Sequence, residues 1–110
     1  MISIDTFKNI EMRIGQIQQV ERVPDTDKLL KLTVDFGEST PRQVVSGIAQ
    51  YFEDPLVLVG KRCPFVTNLE PRTIRGLESQ AMIVAVSTNE GQFSILEPTQ
   101  CEIPAGTKLN

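Results

Sequence analysis

The chain has no histidine and no tryptophan, and only two cysteines and one tyrosine among its 110 residues. Without histidine there is no Ser-His-Asp or Cys-His nucleophile pair and no imidazole to act as general acid or base. Two cysteines without histidine cannot close a four-ligand zinc site. Cys63 and Cys101 are too far apart for a CxxC redox motif, and although a disulfide between them stays open, nothing points to an oxidising compartment. Asp25 and Asp27, two apart, would hold a divalent ion only weakly and read as a solvated turn. The expectation is a chain with no catalytic residue, no metal and no cofactor. Long apolar runs are also missing. The longest, Ala81 to Val86, is far short of a membrane span. No basic stretch followed by an apolar segment opens the chain, so no secretion signal is expected and the cytoplasm is the expected location. Met1 directly ahead of a helix cap favours a complete chain.

Basic charge is in short supply overall, with eleven Lys and Arg against fourteen Asp and Glu for a net charge of -3. Taken alone, that balance argues against a nucleic-acid partner. The deficit is not spread evenly. From Gly76 onward Glu78, Glu90, Glu97 and Glu102 face Lys108 alone, so the residues before Gly76 balance to zero. Within that balanced part, Lys61, Arg62, Arg72 and Arg75 are opposed only by Glu70. An acidic chain carries one basic stretch.

With 40% hydrophobic residues the chain can build a core without disulfide or metal support. No repeat or linker divides it, so residues 1–110 are expected to form one domain. Ile4, Phe7 and Ile10 recur three apart behind Ser3 or Asp5 as N-cap, which predicts a short amphipathic helix over Ser3 to Ile10. It is too short to stand alone and is expected to pack on something. Met12 to Val23 is rich in β-branched residues and reads as a strand, with Gly15 placed to allow a bend. Leu30, Leu32, Val34 and Phe36 alternate with Lys31, Thr33 and Asp35, the pattern of a half-buried strand. Gly37 to Pro41 turns the chain and Arg42 to Ser46 pairs back. Gly47 to Asp54 suits a helical turn carrying Tyr51 and Phe52. A fourth strand follows at Lys61 to Thr67, where Pro64 suggests an edge. Asn68 to Ser79 reads as a polar loop, Ala81 to Val86 as a fifth, fully buried strand, and short pairing segments near Phe93 to Leu96 and Lys108 finish the chain. These elements describe an all-β, five-stranded barrel with a short N-terminal helix and a C-terminal extension. The OB-fold is the commonest such design, with a ligand face on strands two and three and the loops after strands one and four. Here those loops are Val23 to Lys28 and Asn68 to Ser79.

Four segments, in order, resemble a known family. They are Met12, Arg13, Ile14 and Gly15; then Asp27, Lys28, Leu29 and Leu30; then Arg42 with Val44, Val45, Ser46, Gly47 and Ile48; and, most specific, Asn68, Leu69, Pro71, Arg72, Arg75, Gly76, Ser79 and Met82. Together they resemble the tRNA-binding domain found at the C-terminus of many methionyl-tRNA synthetases. The same domain occurs in free-standing structure-specific tRNA-binding proteins and in the endothelial-monocyte-activating polypeptide. The resemblance covers nearly the whole chain and departs from the family pattern at Val23 and Ala81. It implies an OB-fold that binds tRNA by shape, and a homodimer built by the N-terminal helix and the C-terminal extension. An aminoacyl-tRNA synthetase is the further partner it suggests. The family's export-chaperone branch differs around Asp27 to Leu30, which places this chain nearer the tRNA-binding branch.

On that reading Arg13, Lys28, Arg42, Asn68, Arg72, Arg75 and Ser79 are the candidate tRNA-binding residues. Arginine and lysine neutralise phosphates, and Arg72 and Arg75 on one loop suit bidentate contacts. Arg42 and Lys28 are expected on the same face, while Asn68 and Ser79 flank the basic loop within reach of ribose hydroxyls. Each has a plainer alternative. Arg72 and Arg75 are also placed to pair with Glu70 and Glu78, Lys28 with Asp25 or Asp27, and Arg13 with an acid across strands. Asn68 and Ser79 are equally suited to capping the loop's own backbone. Met82 and most phenylalanines read as core, so stacking platforms for single-stranded bases are scarce. Two other functions stay open: a homodimerisation or protein-interaction module with vestigial RNA binding, and a peptide-binding chaperone.

Overall fold

The computed structural model describes all 110 residues. Nine strands run in chain order: β1 (Met12–Arg22), β2 (Leu30–Asp35), β3 (Arg42–Ser46), β4 (Arg62–Val66), β5 (Arg72–Ile74), β6 (Leu77–Ser79), β7 (Met82–Ile83), β8 (Ala85–Ser87) and β9 (Phe93–Ile95). Five form one antiparallel sheet in the order β3-β2-β1-β4-β7. The sheet curls until its two edges meet. Gln80 donates its backbone N–H to the Gln43 carbonyl at 2.8 Å, and Ser79 Oγ accepts the Val45 N–H at 3.0 Å. The result is the expected nearly closed five-stranded barrel, with a short N-terminal helix and C-terminal strands.

Alternation on β2 supplies the core. Leu30, Leu32 and Val34 are buried, and Phe36 beyond them meets Phe65 edge to face at 5.2 Å between ring centres. Ile17, Val44, Leu58 and Cys63 complete the interior. Gly15 sits where β1 crosses this cluster. A Cβ there would lie 2.5 Å from the Phe36 ring and 2.6 Å from a Val34 methyl, so the glycine is required by close packing. Beside Gly15 the partner of β1 changes, from β4 over Met12–Gln16 to β2 from Gln16 on, and a register slip follows between Ile17 and Gln19.

Several expectations are revised. The helix spans only α1 (Ile4–Phe7), capped by the Ser3 hydroxyl, and buries nothing: Ile4 is 65% exposed and Phe7 and Ile10 are exposed too. Pro64 lies in an interior strand. Thr67 and Ile17 donate their N–H groups to the carbonyls of Glu11 and Lys61, so the alternation of the ladder turns the Pro64 nitrogen away from β1. Its missing donor falls toward β7, just where that ladder stops after the Val84 N–H to Pro64 carbonyl bond. Ala81 to Val86 is not one buried strand. It divides into β7, whose Met82 is 46% exposed, and β8, which forms a separate hairpin with β9. Lys108 bridges Arg13, as the expected C-terminal pairing. Cys63 is buried, Cys101 is exposed and both thiols are free, so the possible disulfide is absent. Burial pushes the Cys63 thiol up to about 11 and leaves it an inert apolar group. No helix is long and apolar enough to cross a membrane.

Candidate nucleic-acid interface

The segment expected to be a polar loop is a projecting hairpin arm, β5 and β6, joined by Arg75 and Gly76. Both turn residues have left-handed backbones, with φ of 52° and 79°, the geometry of a tight hairpin turn that matches strand twist. Glycine adopts it freely; arginine does so at a cost. That places the Arg75 side chain at the arm's exposed tip.

Across from the tip stands the loop after β1. A cleft of about 450 Å³ separates them, lined by Asp25, Thr26, Asp27, Lys28 and Leu29 on one wall and Ile74 and Arg75 on the other. The Lys28 carbonyl accepts the Ala49 N–H at 2.9 Å, so the lysine is fixed to the barrel through its backbone while its side chain stays exposed. Arg72 lies at the base of the arm, opposite Ser79 and also exposed. None of Lys28, Arg72 and Arg75 makes an ion pair or a side-chain hydrogen bond, so the expected alternatives with Asp25, Asp27, Glu70 and Glu78 are not formed. The cleft is electrically balanced, two carboxylates against two cations, and outside it Arg72 stands at the arm's base with Glu70 and Glu78 nearby in the chain.

The remaining candidates are spent on their own chain. Arg42 grips both oxygens of Glu38, from Nε at 2.9 Å and Nη2 at 2.8 Å, and its Nη1 donates to the carbonyls of Thr67 at 2.7 Å and Gln80 at 3.3 Å. The Arg42 hydrogen bond holds the Glu38 carboxyl below the usual range, and the same bond raises the arginine. Arg42 and Lys28 lie at opposite ends of the β2–β3 ladder, not side by side as expected. Arg42 pairs with Val34 at one end, whereas Leu30, next to the Lys28 loop, pairs with Ser46 at the other. Arg13 pairs with Glu11 two residues earlier at 3.0 Å, not with an acid across strands. The Thr67 hydroxyl, ahead of Arg13 and Lys108, lowers the Glu11 carboxyl. Asn68 Oδ1 accepts the Glu11 N–H at 2.9 Å and its Nδ2 donates to the Asn9 carbonyl at 2.7 Å. Ser79 is 5% exposed, and its hydroxyl joins Val45 and Ala81. Asn68 and Ser79 thus bind backbone groups, but apart from the Ala81 carbonyl these belong to other segments rather than to the loop they were expected to cap.

The sequence reading did not find Ile74 as an apolar part of the cleft wall, or the interlock of Gln43 with Gln80 and the Glu78 carbonyl that anchors the arm. One signal was present: β-branched Thr73 and Ile74, then Arg75-Gly76, then Leu77 is the pattern of a two-residue hairpin. Nothing in the composition marks Gln43 and Gln80 as partners. The aromatic surface offers little to bases, because Tyr51 already lies flat on Phe93 at 4.3 Å between ring centres. No group of three His, Cys, Asp or Glu side chains is arranged around a metal site.

Comparison with known proteins places this geometry. The model of the family described as "Putative tRNA binding domain" matches residues 12–108. A methionine–tRNA ligase of Deinococcus radiodurans is 45% identical over 109 residues, which is 99% of this chain and 16% of the ligase. The chain thus spans about one sixth of that relative. Among solved structures, a MetRS-related protein from Pyrococcus horikoshii superposes with a TM-score of 0.90 at 35% identity, covering 99% of this chain and 97% of that one. The chaperone CsaA of Bacillus anthracis str. Ames superposes at 0.86 with 27% identity, covering 100% and 99%.

Proposed function

The chain belongs to the tRNA-binding-domain family, and from that premise we propose that it is a non-catalytic module that holds tRNA by its shape and phosphate backbone. The observation that carries this reading is the set of three free cations, Lys28 and Arg75 across an open cleft and Arg72 at the foot of the same arm. Free cations in register with a cleft suit phosphates, and the lack of an open aromatic platform disfavours base reading. The 110 residues act as one unit, in the cytoplasm, with an aminoacyl-tRNA synthetase as the protein whose substrate it would hold.

The same reading includes a homodimer. Ile4, Phe7, Ile10, Met12 and Leu109 line a second cleft of about 490 Å³ between α1 and the C-terminus, with Lys8 and Lys108 at its margin. A helix of four residues with its apolar side bare gains stability from a second copy laid against it. Light scattering at tens of micromolar checks this: a monomer there removes the dimer.

Three phosphate contacts would give a salt slope of about two to three, a roughly twenty- to fortyfold loss of affinity from ~50 to ~200 mM salt. The deciding experiment titrates unfractionated tRNA and a length-matched unstructured RNA at both salts. Preference for tRNA with that slope supports the reading; equal, weak binding to both, or none, overturns it. The bare apolar face and the likeness to a chaperone favour a second reading, capture of unfolded polypeptide. It predicts suppression of aggregation of a denatured test protein together with indifference to tRNA. A dimerisation module with vestigial RNA binding, suggested by the -3 charge, predicts a dimer that does neither.

A further inference from the structure

We propose that Arg42, gripped by Glu38, is a positioning residue that aims the β5–β6 arm at RNA and makes no RNA contact itself. The proposal rests on the reading above that the arm carries the phosphate contacts. Thr67 is the last residue before the segment that bears the arm, and Gln80 is the first after it. A single nitrogen, Arg42 Nη1, donates to both of their carbonyls, so one guanidinium ties together the two roots of the arm. The other side of the same planar group is taken by both Glu38 oxygens, and its carbon lies 5.4 Å from the centre of the buried Phe36 ring. Glu38 in turn belongs to the Phe36–Pro41 loop joining β2 to β3, where Asp35 Oδ1 accepts the Gly37 N–H at 2.7 Å. The arm's roots are therefore fastened to the β2–β3 hairpin of the barrel.

The other bonds at the return root are neutral: Gln80 N–H to the Gln43 carbonyl, Gln43 N–H to Gln80 Oε1, and Gln43 Nε2 to the Glu78 carbonyl. The outgoing root is tied separately to Glu11, whose carboxylate accepts from the Thr67 hydroxyl at 2.7 Å. Arg42 alone adds a charge-assisted hold on Thr67 and Gln80 at once, and only a forked, planar cation reaches all four acceptors. Lysine carries the same charge but cannot grip Glu38 with two bonds while serving two carbonyls. An arginine with its nitrogens so engaged has little left to offer a phosphate. Its loss would loosen where Arg72 and Arg75 point, and with it the geometry of tRNA binding.

Glu38→Gln separates positioning from electrostatics, because the two predict opposite signs. Removing an acid from a phosphate-binding protein strengthens binding if charge alone matters. Positioning instead predicts about threefold to tenfold weaker tRNA binding, with an unchanged salt slope, and faster amide exchange at Gln80 while β2 amides keep their protection. Arg42→Lys, which preserves net charge, is expected to weaken binding similarly. Arg72→Gln with Arg75→Gln is measured in parallel. If that pair leaves tRNA affinity unchanged, the reading of the arm fails and this proposal falls with it. If the pair weakens binding but Glu38→Gln binds as well as or better than the wild type, the arm is sound and the positioning role is refuted.

Discussion

The two ends of the β2–β3 hairpin treat their charges in opposite ways. At the Val34–Arg42 end the charged groups are consumed: Arg42 holds Glu38, Thr67 and Gln80, and close by Glu11 holds Arg13 and Thr67. At the Leu30–Ser46 end Lys28 faces Arg75 across open solvent, with no internal partner for either. Both ends are built from the same kinds of residue. What separates them is geometry: at the first the sheet's edges meet, and backbone carbonyls left over at the seam need donors. Cations there are fasteners. At the second an open cleft lies between the loop after β1 and the arm's tip, and cations without partners are available to a ligand.

That contrast is breakable at several points. The largest effect is expected from Gly15→Ala, which pushes a methyl into the Phe36 ring that underlies Arg42; about 3 kcal/mol of stability should be lost in a denaturant titration. Ser79→Ala leaves the Val45 N–H without its acceptor inside the seam and should cost about 1–3 kcal/mol, whereas Arg72→Ala and Arg75→Ala should stay within about 0.5 kcal/mol of the wild type. Acid titration sharpens the same difference. Glu11 and Glu38 both have folded-state values below the ordinary 4.5, so their contribution is present above that pH and is lost as pH falls through the lowered values. Glu38→Gln should therefore flatten the loss of melting temperature between neutral pH and the acid limb. The smallest effect lies in the cleft: Asp27→Asn removes one of the two carboxylates and should tighten tRNA binding a few-fold at low salt, with stability unmoved.

Much of this was legible in the chain. The alternation from Leu30 to Phe36 announces a half-buried strand because a pleated strand has a period of two, and the barrel follows from that strand and its neighbours. The Arg75-Gly76 turn was readable in principle, yet the surrounding Asn, Pro, Arg and Ser looked like loop. The division of the seven candidate residues was not legible. Whether an arginine is a contact or a fastener depends on which carbonyls lie near it, and those of Thr67 and Gln80 are 25 and 38 residues away from Arg42. Pro64 misled for a related reason: proline is excluded only where its nitrogen would have to donate, and the side of the strand it faces is set by register.

The most direct test is the slope of tRNA affinity against salt, both as logarithms, for the wild type and for Arg72→Gln with Arg75→Gln. Removing these two phosphate-binding cations should lower the slope by about 1.5 while the protein melts at an unchanged temperature. An unchanged slope would place the tRNA-binding surface elsewhere on the molecule and contradict the account.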